Sequence, residues 1–190
     1  AWSNYYQGNH DSMEQIASRI GTEPRSADEV TLVEWDPDAE DKIAAAALYA
    51  HTDLTDTQLL EVVTNMSDDE KAEVIRAYVG DRQNRRHKPG RGMERSFYRF
   101  DILSDFGSFR DLQRHRLLTI EWQELTPHHG YAEPAAIEEA GAQHDWRRVM
   151  EDCADLSEAL RTSVSSLVAQ YAVPMAYRVR FYMHMNAREA

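Results

Sequence analysis

Arg114-His115-Arg116 is the densest group of phosphate-capable side chains outside one basic segment of the chain. Arginine presents a planar fork of donors that matches phosphate oxygens, and histidine adds a neutral or charged donor near pH 7. Three such residues in a row suit an anionic ligand. A second reading stays open, because cations also collect at the C-terminal end of a helix, where exposed carbonyls attract them. The pattern over residues 109–116 predicts a short helix with Arg110 and Arg114 on one face. The basic segment is residues 82–99, where Arg82, Arg85, Arg86, Lys88, Arg91, Arg95 and Arg99 face the single acid Glu94. That segment is +6 in a chain of net charge −12, so the remainder carries −18. A positive patch on an acidic body suits a small anion better than a long polyanion, and no nucleic-acid binding is expected. The alternative is a solvated basic loop, with His87 as one more surface residue.

Two other groups invite chemistry and carry less of it. His128-His129 are adjacent in a turn, so their rings point apart, and no carboxylate stands at ligand spacing; no metal site is expected. Cys153 is the chain's one cysteine and has no internal disulfide partner. With Val149, Leu156 and Leu160 at helical spacing around it, it reads as a core position.

The elements that must position these residues are legible in outline. Residues 12–20 read as a helical stretch within a polar arm, residues 1–29. Trp2, Tyr5 and Tyr6 there suit either docking on a partner chain or covering their own core. Residues 30–35 alternate with β-branched side chains and read as a strand. Asp36-Pro37 reads as a helix start, and that helix carries the apolar run of residues 43–50. Thr55-x-x-Gln58 and Ser67-x-x-Glu70 are capping boxes opening helices near 56–66 and 68–82. Residues 94–103 alternate as a strand. Ser104-Asp105 caps the short helix that leads to Arg114. A second strand is expected at 118–122, a turn at 127–130, a short helix at 134–140 closed by Gly141, and one long helix over 142–170. Pro174 ends it, and residues 177–184 alternate as a third strand. Asn186-Ala-Arg-Glu189 is a further capping-box start. Helices flanking a few long strands give an α+β class with a largely antiparallel sheet.

Composition bounds the remaining possibilities. A chain of 190 residues with 42% hydrophobic and 28% charged residues can bury one sizeable core. The run of residues 43–50 falls far short of the roughly 20 residues that span a bilayer, so no membrane segment is expected. The opening residues lack the basic and apolar regions of a signal peptide, and a single cysteine suits a reducing cytoplasm. The missing initiator Met and the helix start that stops at Ala190 give the expectation of a piece cut from a longer chain.

Arg114-His115-Arg116, followed by Thr119 and Gln123-Glu124, resembles the signature RHRxxSxNExSxRY of the flavin-dependent thymidylate synthases, the ThyX family. Two further segments carry the resemblance. Glu94 lies 20 residues before Arg114, ahead of the strand that holds Tyr98 and Phe100. Near the end, Pro174, an aromatic strand and Asn186-Ala187-Arg188 follow in the family's order. The resemblance covers residues 30–190. It implies an α+β fold around an antiparallel sheet, a homotetramer or a dimer of two-domain chains, and sites between subunits. It implies methylation of dUMP, or a related nucleotide, to dTMP, with methylenetetrahydrofolate as carbon donor and hydride from FAD that NADPH has reduced. No cysteine nucleophile is implied, so Cys153 need not be catalytic. Carried over residue by residue, Glu94, Arg114, His115, Arg116, Asn186 and Arg188 hold FAD. Arg91, Asp111, Arg114, Glu124, Thr126, His128 and Gln170 lie on the nucleotide, with Arg114 and Glu124 as catalytic candidates. The nucleotide side departs from the pattern. With a two-residue insertion, Gln123-Glu124-Leu125-Thr126 stands for Asn-Glu-x-Ser and His128 for an arginine; Gln170 stands for another arginine and Asp111 for a glutamine. The resemblance also leaves open a domain that binds flavin or assembles without catalysing.

Overall fold

In this computed structural model residues 2–23, 25 and 27–190 are described, with backbone alone for residues 2–4. Four strands form one antiparallel sheet: β1 (Val30–Trp35), β2 (Tyr98–Asp105), β3 (Thr119–Trp122) and β4 (Arg178–Met185), in the order β1-β2-β4-β3. The α+β class expected from the alternation holds. Registry follows the pleat: Phe100 and Ile120 both lie opposite Met183, and Ile102 and Trp122 opposite Phe181. These residues share one face, because partners in register project to the same side. That face carries the main core, in which Phe109, Leu125, Met150, Val173, Tyr177, Val179, Phe181 and Met183 are buried. Phe109 sits at its centre, 4.9 Å from the Phe181 ring and 5.4 Å from Trp122.

The first helix, α1 (Trp2–Ala17), is longer than the stretch expected at 12–20. Its Tyr5 and Tyr6 are exposed, so they do not cover this chain's own core; the Trp2 side chain lies outside the described residues. Helix α2 (Ala39–Leu48) begins two residues later than Asp36-Pro37 suggests. Buried Asp36 accepts from the Asp38 backbone N–H at 3.1 Å and from Lys42 Nζ at 2.6 Å, so it braces the turn before the helix. Both expected capping boxes form, opening α3 (Asp56–Thr64) and α4 (Asp68–Val79). Gly80, at φ 65°, ends α4 in a conformation that few side chains tolerate. A second, smaller core joins α2 and α3 through Ala44, Ala45, Leu59 and Val63, with Val74 and Ile75 of α4 against it.

Three expectations are corrected. Glu94 lies outside the strand, in a 3-10 turn, Arg91–Arg95, because ion pairs described below hold it there. Helix α5 (Phe106–Leu112), capped by Asp105, ends before Arg114; short backbone bonds from Arg114 to Asp111 and from His115 to Leu112 turn the chain toward β3 instead. Arg110 and Arg114 therefore share no helix face. After α6 (Ala135–Glu139), the segment expected as one helix is two: α7 (Gln143–Ser163) and α8 (Ser166–Ala169), broken at Val164-Ser165. Cys153 packs against the main core from α7, whereas Val149 and Leu156 face outward. Among the described residues, no helix is long and apolar enough to cross a membrane.

Candidate functional site

Three segments distant in sequence meet where β2 begins and β4 ends. Glu94 takes a bidentate contact from Arg91, Nε at 3.1 Å and Nη2 at 2.9 Å, and a second guanidinium from Arg188, Nη1 at 2.7 Å. Arg188 also donates Nε to the Pro89 carbonyl at 3.0 Å. Its own backbone N–H goes to Asn186 Oδ1 at 3.1 Å; the Glu189 N–H donates to the same oxygen at 3.2 Å and Glu189 Oε2 accepts from the Asn186 N–H at 3.2 Å, so the capping box read at 186–189 forms. Arg91 is 83% exposed and Arg188 only 27%, which makes Arg188 the more enclosed of the two partners. The Arg91 guanidinium, and then Arg188, hold the Glu94 carboxyl below its usual range against a desolvation that would raise it. Glu94 in return raises Arg91.

The glycines of the basic segment have a packing reason. A side chain at Gly90 would collide with the Tyr78 ring, and the Gly92 N–H donates to Tyr78 Oη at 2.9 Å. Helix α4 thereby anchors the turn that carries Arg91 and Glu94. Within the loop, His87 acts as a hub: its carbonyl accepts from Arg82 Nε at 2.6 Å, and its ring meets the Gln83 N–H and the Asn84 amide. It is engaged in loop structure, which the residue pattern alone left open.

A cavity of about 340 Å³ opens at this corner. Glu94, Ser96, Phe97, His184, Asn186 and Glu189 line it together with Leu117 and Thr119, which lie within three residues after the Arg114-His115-Arg116 triplet. Its size falls in the range of small-molecule sites. Phe97 stacks on His184 at 5.2 Å, forming a flat aromatic wall. The triplet itself is exposed in the turn after α5. Arg114 Nη2 pairs with Asp111 at 3.1 Å, so the carboxylate at 111 is partly neutralised by its own chain. Arg116 makes no ion pair among the described residues, which leaves its fork available.

The other candidates gather at a second corner, where β3 runs into the α7–α8 junction. Glu124 Oε1 accepts from Ser166 Oγ at 3.1 Å, and its Oε2 lies 3.5 Å from Arg161 Nη1. Gln170 Oε1 accepts from the Leu125 N–H at 3.2 Å. Thr126 Oγ1 caps the 3-10 turn Pro127–His129 by accepting from the His128 N–H at 3.4 Å. His129 meets Gln123 Oε1 at 3.1 Å, and burial, then Arg180 and His128, lower its basicity. Among the described residues, no three His, Cys, Asp or Glu side chains are arranged to hold a metal ion.

The fold thus groups Glu94, Arg91, Asn186 and Arg188 at one corner and Glu124, Thr126, His128 and Gln170 at another, with Arg114 and Asp111 paired between α5 and β3. No hydrogen bond or ion pair among the described residues links the two corners. Sequence reasoning missed Ser96, whose buried hydroxyl accepts from the Ala187 N–H at 3.2 Å, and Arg161 and Ser166 beside Glu124. Their partners are 91, 37 and 42 residues away, and no local pattern signals such a pairing.

A family model described as thymidylate synthase complementing protein matches residues 31–190. A UPF0159 protein of Chlamydia muridarum is 37% identical over 190 residues, covering 99% of this chain and 36% of the relative. The chain spans about a third of the length of the curated relatives it matches. Among solved structures, the flavin dependent thymidylate synthase ThyX of Helicobacter pylori, complexed with FAD and dUMP, aligns at TM-score 0.57 and 17% identity, covering 85% of this chain and 80% of that one. The UMP/dUMP methylase PolB of Streptomyces cacaoi, bound with 5-Br dUMP, aligns at TM-score 0.60 and 15% identity, covering 88% and 77%. At those identities the likeness is one of fold.

Proposed function

This chain belongs to the thymidylate synthase complementing protein family, and from that membership we propose that it is an FAD-dependent thymidylate synthase-like domain. Its substrate is dUMP or a related nucleotide, and its co-substrates are methylenetetrahydrofolate and NADPH. The observation that carries this reading is the cavity at the β2–β4 corner, because three segments of the sequence resemblance border it: Glu94, the stretch behind Arg114-His115-Arg116, and Asn186. The donor set fits a flavin dinucleotide. Arg116 has an unengaged fork and His115 is exposed beside it, so the two can offer charge-assisted donors to a pyrophosphate, and Arg188, held by Glu94 and Pro89, is a further guanidinium of the set. Glu94, Arg114, His115, Arg116, Asn186 and Arg188 would hold FAD, which when bound supplies the hydride. Glu124 and Thr126 then face the nucleotide together with Arg91, Asp111, Arg114, His128 and Gln170, and Arg114 and Glu124 stand nearest the chemistry.

The two corners are separate in one chain, so the reading includes self-association: a homotetramer, or a dimer of longer chains with two such domains, working in the cytoplasm. A second reading is favoured by one specific observation. Gln170, which stands where the resemblance expects an arginine before the Pro174 strand, spends its carbonyl oxygen on the Leu125 backbone. A domain altered in this way suits flavin binding or assembly without catalysis. Absorbance titration with FAD, followed by dUMP-dependent oxidation of the reduced flavin in the presence of methylenetetrahydrofolate, separates the two. Flavin uptake with turnover supports the enzyme; uptake without it supports the non-catalytic domain. Failure to alter the FAD spectrum at high micromolar concentration removes both.

A further inference from the structure

Helices α7 and α8 together do something an unbroken helix could not. At 3.6 residues per turn, Arg161 and Gln170 on a continuous helix would point about 180° apart. The break at Val164-Ser165 re-aims the second segment, and Ser165 caps it by accepting from the Val168 N–H at 3.3 Å. Buried Ser157 clamps the fold-back by donating to the Ala169 carbonyl at 3.2 Å. As a result Arg161, Ser166 and Gln170 converge on two successive residues of the loop that follows β3. Ser166 Oγ and Arg161 Nη1 meet the two Glu124 oxygens, at 3.1 Å and 3.5 Å, and Gln170 Oε1 takes the Leu125 N–H. One part of the arrangement works against stability. Arg161 Nη2 is shut off from solvent with no acceptor, a destabilising state for a strong donor. The charge balance also argues against a phosphate there, since Arg161 already has Glu124 and, at 3.9 Å, Glu158 around it.

We propose that the α7–α8 corner is a positioning device for Glu124. Arg161 and Ser166 fix its carboxylate, so both act on the nucleotide through Glu124 without touching it, while Gln170 fixes the backbone beside it. This rests on the reading that Glu124 faces the nucleotide. A residue acting only through another loses its effect once that other is changed, so the test is a double-mutant cycle. The flavin-loaded full chain is titrated calorimetrically with dUMP in eight forms: parent, Arg161→Met, Arg161→Lys and Ser166→Ala, each with Glu124 and with Glu124→Gln. The expected result is about a tenfold loss of dUMP affinity for Arg161→Met and a smaller one for Ser166→Ala with Glu124 present. Arg161→Lys should retain most of the affinity. No further loss should follow from any of them in the Glu124→Gln background, and FAD affinity should stay unchanged. Equal losses in both backgrounds, or a parallel loss of FAD, would overturn the positioning role while leaving the functional reading intact. If the flavin-loaded parent binds no dUMP, or Glu124→Gln binds it as the parent does, the functional reading itself falls and the device with it.

Discussion

The two corners of this domain are built from similar residue types and held in opposite ways. At the β2–β4 corner a single carboxylate, Glu94, gathers two guanidinium groups, the exposed Arg91 and the half-buried Arg188. At the β3–α8 corner the carboxylate Glu124 is itself the thing gathered, held by a hydroxyl and a guanidinium above the buried Leu125. One corner is polar and surface-fixed, and the other stands on the main hydrophobic core. Each is therefore vulnerable to a different kind of change. Packing changes should propagate to the second corner, and charge, salt and pH changes to the first.

The largest effect expected from this contrast is in packing. Phe109 is buried against Trp122 of β3 and Phe181 of β4, so Phe109→Ala should destabilise the domain by about 3–5 kcal/mol, the range for a deleted core aromatic. Urea unfolding checks it, and a loss under about 1 kcal/mol would mean that β3 does not depend on this ring. Next is Arg188→Ala. It removes the contacts to Glu94 and Pro89 while sparing the main core. If the β2–β4 corner holds FAD, flavin affinity should fall about ten- to a hundredfold, corresponding to a charge-assisted bond of roughly 1.5–3 kcal/mol. Unfolding midpoints should move little. A large midpoint shift with unchanged flavin affinity would reverse the assignment of the two corners.

Titration separates the corners at smaller scale. Glu94 has a lowered carboxyl pKa, so its pairing stabilises the fold fully above the ordinary value of 4.5 and is lost as pH falls below it. Glu94→Gln should flatten that acid limb in thermal melts taken between pH 3 and pH 6. His129, at the other corner, has a lowered pKa because burial disfavours its charged form. The unfolded chain then binds the proton more readily, so stability should decline as pH drops through the ordinary value of 6.5. Melting curves at pH 7.5 and pH 5.5, compared with a His129→Gln variant lacking the dependence, test this. The smallest effect belongs to Arg91→Ala. Its side chain is mostly exposed and its pairing is screened by salt, so its melting temperature at moderate ionic strength should match that of the parent.

Whatever depends on neighbours along the chain was legible in the order of its residues. The alternation of Tyr98, Phe100 and Ile102 and of Val179, Phe181 and Met183 dictates strands with one apolar face, because the side-chain period of a strand is two. Thr55 with Gln58 and Ser67 with Glu70 dictate helix starts, because each cap bonds within three residues. Asn186 and Glu189 are legible for the same reason. Long-range packing settled the rest. Residues 109–116 carry a helical pattern, yet the chain must turn at Gln113 to reach β3, so Arg114 pairs with Asp111 in a turn. Residues 142–170 read as one helix because Val164-Ser165 holds no glycine or proline to signal a stop. The break there pairs Ser166 with Glu124 and Ser157 with Ala169, contacts that local pattern cannot encode. Glu94 leaves the strand because Arg188, 94 residues away, meets it there. Local rules fix elements within a few residues, whereas the positions of charges at a site are set by partners that only the folded chain brings near.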